Sequence, residues 1–353
     1  MKRVKNILIV VSVFSIISFL MMGCTNSQKS DNNKMLEEAK KIQEVTIQEY
    51  NIMIAPDLSN RINDEIHPKP VDDRAIIHEV FQMIPTVLTS NNRTTGQKDL
   101  FSFMFVNSGL ISQTGMDVDS LRIDFSSFVN PESGTDNQKN RIEYIKNRNP
   151  ERSLKKDVVA INNRIEKLYS FAQSHSGGAD IWSFLNSEID PTILKTQTKR
   201  NEVFGGVIQN IVCKNVMILL TDGYLESGLS RGQSQGEGKN MSYDLTQSRI
   251  RDFRNAFKHS KMNDLRAFYK KEGYGIVALK NSALKDLHLL VMEMDDRSQT
   301  KTGNATVFPT DAEIINLFWT DWLKRSGVAT YELHHVVPSK SKAQKIIRNF
   351  LEV

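Results

Sequence analysis

Residues 216–223 read VMILLTDG. Five consecutive apolar side chains leave no polar face, so a strand made from them is covered on both sides. That is the mark of an interior strand in a parallel sheet rather than a half-exposed antiparallel one. The run stops at Thr-Asp-Gly, a turn sequence. Upstream, residues 48–57 (QEYNIMIAPD) hold a similar compact apolar run before a polar turn. Residues 100–106 (LFSFMFV) and 287–294 (LHLLVMEM) supply two further strands, and residues 330–337 a last one. Residues 121–125 (LRIDF) are short and alternate, which fits an edge or hairpin strand.

Helical spacing fills the intervals. Ile76, Ile77, Val80, Phe81 and Ile84 share one face of a helix over 72–84 that Pro85 is expected to end. Val158, Ile161, Ile165, Leu168 and Tyr169 share a face over 154–172, and a further helix begins at residue 181 after Gly177-Gly178. A long polar stretch over 243–271 reads as one helix. Residues 311–324 form another, with Asp311 as the expected N-cap after Pro309, and residues 341–351 the last. Trp319 and Trp322 lie three apart on a helix face, which predicts core. Strands alternating with helices predict an α/β fold: a doubly wound, mostly parallel central sheet with helices on both faces. Ligands of such folds sit beyond the carboxyl ends of the strands, near a switch in strand order. The loops after residues 55, 171 and 220 are therefore where chemistry is expected.

Composition sets the bounds. Charged residues are 25% and apolar residues 39% of 353, values of an ordinary folded chain that exclude wholesale disorder. Residues 1–24 (MKRVKNILIVVSVFSIISFLMMGC) put three basic residues before an uncharged run over 7–22 that is short for a membrane span. The ending Gly23-Cys24 resembles the lipobox of bacterial lipoproteins, with Met21 where Leu is usual. That resemblance implies cleavage of residues 1–23 and lipid on Cys24, which would anchor the domain outside the cytoplasm in the bacterial cell envelope. Losing Lys2, Arg3 and Lys5 lowers the net charge from +5 to +2, so no nucleic-acid partner is expected. Cys213 then remains as the lone thiol, and its place before an apolar run predicts a buried structural role. Residues 24–44 read as a polar tether with a short helix, and 45–353 as one domain.

Three short segments occupy the expected loops. Asp57-Leu58-Ser59-Asn60-Arg61 follows the first strand. Ser176-Gly177-Gly178-Ala179-Asp180 opens a helix near the middle, and Thr221-Asp222-Gly223 ends the strongest strand. Together they resemble the von Willebrand factor A family. Its metal-ion-dependent adhesion site uses Asp-x-Ser-x-Ser, a Thr in a mid-domain loop and an Asp in a Thr-Asp-Gly turn. The order of elements is similar over about residues 48–353; the motif likeness is confined to these three loops. It implies Asp57, Ser59 and Asp222 as ligands of Mg²⁺ or another divalent cation, with Arg61, Asp180 and Thr221 as neighbours. A hard cation takes oxygen ligands and keeps some waters, and one open position would accept an acidic group of a partner.

Two positions depart from the pattern. Arg61 stands where the second Ser belongs, and Ala179 where the Thr belongs. Arg61 has alternatives: pointing into solvent, or pairing with Asp222 or Asp57 in place of the metal. The extra length over 107–119, 129–155 and 188–215 is expected as long loop insertions, and Gly-rich 228–240 as a flap at the site rim. His334-His335, adjacent on a strand, face opposite sides and are not a joint metal pair. No His-Glu-x-x-His pair or Walker loop is present. The expected function is therefore binding of an envelope protein or other macromolecular ligand. The alternatives are a metal-dependent envelope hydrolase and a metal-free scaffold.

Overall fold

The computed structural model describes residues 44–353, apart from 91, 92, 94, 95, 131, 176, 196–199, 205, 206, 227–239 and 301. The expected leader, Cys24 and nearly all of the tether lie outside the described residues. So do Ser176 and residues 228–239 of the expected flap. Strand β1 (Glu44–Pro56) leads to helices α1 (Asp73–Gln82) and α2 (Ile84–Thr89), then β2 (Leu100–Phe103) and α3 (Ser108–Thr114). β3 (Ile123–Asp124) is followed by α4 (Gln138–Ile145), α5 (Leu154–Ser174) and α6 (Ile181–Ser183), whose end runs into a π-helical turn, Phe184–Glu188. β4 (Arg200–Phe204), β5 (Val207–Leu220) and β6 (Asn240–Ser242) precede α7 (Gln247–Ser260) and α8 (Leu265–Lys271). β7 (Tyr274–Ile276), β8 (Leu287–Met294), α9 (Asp311–Arg325), β9 (Thr330–His335) and α10 (Lys340–Leu351) complete the described chain.

The main sheet has the order β3-β2-β1-β5-β8-β9, with β4 attached to β5. β1 pairs in parallel with both β2 and β5, and β8 in parallel with both β5 and β9. β3 is an antiparallel edge on β2, as its short alternating sequence predicts. The chain winds outward from β1 to β3, returns to β5 on the other side of β1, and continues to β9. The switch in order therefore falls between β1 and β5.

Two cores flank this sheet, because successive side chains of a strand face opposite ways. Ile52, Ile54, Val216, Ile218 and Leu220 pack on one side with α1, α2, α5 and α10. Met53, Ala55, Met217 and Leu219 pack on the other with α6, α7, α8 and α9. Helices thus cover both faces of a mostly parallel sheet, and the unbroken apolar strands follow from that. Trp319 and Trp322 are fully buried, and Cys213 is buried too. Among the described residues no helix is long and apolar enough to cross a membrane.

Several elements differ from the sequence expectations. The helix expected over 72–84 does stop ahead of Pro85, at Gln82, but a second helix, α2, starts at once at Ile84 with Pro85 in its first turn, where its missing N–H costs nothing. The stretch 243–271 is split, because Lys261 takes a left-handed conformation (φ 56°) and Asp264 caps a new helix through the Ala267 N–H at 2.9 Å. The N-cap of α9 is Thr310, not Asp311: Thr310 Oγ1 accepts from the Glu313 N–H, and Glu313 accepts from the Thr310 N–H. The insertions expected as loops carry structure of their own, namely α3, α4 and the β4–β5 hairpin. β5 begins well before residue 216; its first half, VIQNIVCKN, interrupts the apolar residues with polar ones, so no continuous apolar run marks it. It borders β4 along residues 207–211 and β8 along residues 215–220.

Candidate functional site

β1 and β5 lie side by side in register, Ala55 opposite Leu219 and Pro56 opposite Leu220. Their carboxyl ends therefore deliver Asp57 and Asp222 to one place. The Asp57 N–H donates to the Leu220 carbonyl at 2.9 Å, and the Thr221 N–H to that of Met292 at 3.0 Å, so the ladder continues into both loops. A cavity of about 400 Å³ opens there, lined by Asp57, Ser59, Arg61, Asp222 and the Gly177-Gly178-Ala179 loop. The three segments picked out in the sequence meet at this cavity.

Asp57 is almost fully buried. Its Oδ1 accepts from the Ser59 N–H at 2.9 Å and its Oδ2 from the Thr221 hydroxyl at 3.1 Å. Burial raises its pKa; Arg61 pulls it down and Asp222 pushes it up further, leaving a net rise. Asp222 Oδ2 accepts from Arg297 Nη2 at 2.6 Å, and its Oδ1 from the Tyr224 N–H at 3.2 Å. Gly223 is required in this turn. Its φ is +83°, and a Cβ there would meet Ile315 Cγ2 at 3.0 Å. Trp319 Nε1 donates to the Gly223 carbonyl at 2.8 Å, so one core Trp also fixes the turn.

Arg61 does not reach solvent; it is 2% exposed and lies beneath the site. Its Nε donates to the Asp57 carbonyl at 2.9 Å and its Nη2 to that of Leu220 at 2.6 Å. It pairs with Asp73 through both Nη atoms, and its Nε stands 3.5 Å from Asp57 Oδ2. Of the partners weighed from sequence, it takes Asp57 rather than Asp222. Burial alone would raise the Asp73 carboxyl, but Arg61 and Lys69 outweigh it and hold it below the usual carboxylate range. The Tyr169 hydroxyl donates to Asp73 at 3.0 Å, and Lys69 Nζ bridges Asp73 at 3.7 Å to Glu293 at 3.6 Å.

Asp180 does not line the cavity. Its carboxylate caps α6, accepting from the Ser183 N–H at 2.9 Å and the Ser183 hydroxyl at 2.6 Å. Ala179 lines the cavity and offers no side-chain oxygen. Thr221, fully buried, braces Asp57.

The residues that sequence reasoning missed come from other loops. Arg297 follows β8, stacks over the Tyr224 ring at 4.1 Å and stands 3.7 Å from Asp295. Asn107 follows β2; its Oδ1 accepts from the Leu58 N–H at 2.9 Å and its Nδ2 donates to the Gly178 carbonyl at 2.8 Å, tying the first and middle loops together. Asn60, His67, Tyr224, Glu226 and the start of α7 (Thr246, Gln247, Ser248) also line the cavity. No local spacing marks any of these. Only Arg297 had a signal, as a basic residue two positions beyond Asp295 after a predicted strand.

The donor set does not fit the divalent cation that the resemblance implies. A hard cation needs oxygen atoms with lone pairs turned toward one point. Here Asp222 Oδ2 is held by a guanidinium, both Asp57 oxygens accept hydrogen bonds, and Arg61 replaces one hydroxyl donor. Two permanent positive charges oppose a third. What the arrangement offers is a polar crevice with two carboxylates, a guanidinium at its opening and the positive end of a 14-residue helix beside it. No protein-family model matches the sequence, and no curated protein is detectably similar to it.

Proposed function

We propose that this chain is an envelope lipoprotein, anchored through Cys24, whose von Willebrand A-like domain binds a protein or other macromolecular partner at the carboxyl-end cleft. The observation that carries the reading is the meeting of Asp57 and Asp222 at one crevice, at the switch between β1 and β5. The sheet order, with its short antiparallel edge strand, supports the family assignment. The cleft's surroundings support a macromolecular ligand. Ile66, on the loop after β1, and Phe308, on the loop after β8, are 64% and 65% exposed, the most exposed large apolar side chains among the described residues. Both loops also line the cleft, through His67 and Arg297. A partner surface gains by covering such side chains, and an acidic group on it meets Arg297 and the N-terminus of α7.

The test is recovery of bound proteins from detergent-solubilised envelopes by the native chain, by Arg297→Ala and Asp222→Ala, and by Lys270→Ala as a control away from the cleft. Both cleft variants are expected to lose a partner that the native chain and the control retain, with affinity lowered about tenfold or more. Equal recovery by all four would sink the reading.

A further inference from the structure

Two guanidinium groups stand on the carboxylates at which the family resemblance puts a metal ion. Arg61 enters from below, within the loop that carries Asp57, and Arg297 enters from the far side, on the loop after β8. Neither is a loose surface side chain. Arg61 is buried and spends its donors on the Asp57 and Leu220 carbonyls and on Asp73. Arg297 lies against the Tyr224 ring with Asp222 at 2.6 Å and Asp295 at 3.7 Å. Each is therefore positioned by several contacts at once, which is how a planar guanidinium is best held.

We propose that these two guanidinium groups take the place of the divalent cation, so that the site is built without metal and presents Arg297 itself to an acidic group of the partner. Charge accounts for the exchange. A divalent ion would compensate Asp57 and Asp222; here one positive charge faces each, Arg61 on Asp57 and Arg297 on Asp222. Asp73, the further carboxylate, shares Arg61 with Asp57 and has Lys69 at 3.7 Å. The two departures in sequence belong to the same change. Losing the second Ser and the loop Thr removes two oxygen ligands, and gaining the arginines supplies the charge those ligands would have brought with the ion.

This inference rests on the family reading for its expectation of a cation, but its test measures stability rather than partner capture, so the two can fail separately. Thermal unfolding of the full chain in detergent is followed with EDTA and with millimolar Mn²⁺ or Mg²⁺. The native midpoint is expected to be the same in all three. In a double-mutant cycle, Arg297→Ala and Asp222→Ala are expected to couple: the double variant's unfolding constant falls short of the product of the single effects by about tenfold. A saturable Mn²⁺ or Mg²⁺ stabilisation of the native chain that Asp57→Asn abolishes would overturn the proposal. So would single effects that simply multiply, since Arg297 would then not be Asp222's counter-ion.

Discussion

Glu293 shows how far the charge network beneath the cleft extends. It is fully buried, has φ +73°, and sits where β8 slips register against β9. Its Oε1 accepts from the Val337 N–H at 3.3 Å, and Lys69, Asp73 and Arg61 face it. Burial pushes its pKa up to about 7, against the pull of Lys69. An unfolded glutamate ionises near pH ~4.3, so the folded form holds its proton longer. Stability from this group is therefore full below about pH 4.3, falls as pH rises toward about 7, and stays at its reduced level above that. The cost is at most about 4 kcal/mol, from ~1.4 kcal/mol per pKa unit. Glu293→Gln removes it. Urea midpoints are expected to fall less between acid and pH ~8 in the variant than in the native chain. Parallel profiles would show that Glu293 is not the titrating group. In the sequence Glu293 is, with His288, one of the two polar residues of an otherwise apolar strand. Its partners Lys69 and Asp73 lie more than 200 residues away, so nothing local announces it.

At the scale of elements, α9 ties the cleft to the core. Its Thr310–Glu313 capping box starts the helix, and Asp311 in the first turn pairs with Arg254 of α7 and accepts from the Tyr224 hydroxyl at 2.6 Å. Tyr224 is the ring on which Arg297 lies. Thr310→Ala is expected to lower stability by about 1 kcal/mol, read from chemical denaturation, while Asp311 keeps its contacts. A change of ~0.2 kcal/mol or less would mean that Glu313 alone caps the helix. Helices with a clean apolar stripe, such as α5 and α10, were legible because burial of one face dictates their period. The split between α7 and α8, the second helix that starts at Ile84 and the β4–β5 hairpin were not. Each turns on a cap, a left-handed residue or a pairing partner rather than on hydrophobic period. Asp311 was read as the cap because it follows Pro309, but the hydroxyl one residue earlier has the better reach to the Glu313 N–H.

At the scale of the molecule, the doubly wound sheet was legible from its strands alone. VMILL and NIMIA lack a polar face, and the two cores on either side of the sheet are the reason. The candidate site was legible in part. Asp57, Ser59, Thr221 and Asp222 stand at strand ends, where the parallel sheet gathers them, and they do converge. Arg297 and Asn107 arrive from other loops and acquire meaning only through the strand order. The central claim is that a guanidinium, not a metal ion, neutralises Asp222 at this cleft. Anomalous diffraction from crystals of the full chain soaked in Mn²⁺ tests it most directly. The account predicts no anomalous peak between Asp57 and Asp222, with Arg297 Nη2 against Asp222 Oδ2. A peak bound by Ser59 Oγ and the carboxylates, with Arg297 turned out to solvent, would contradict it.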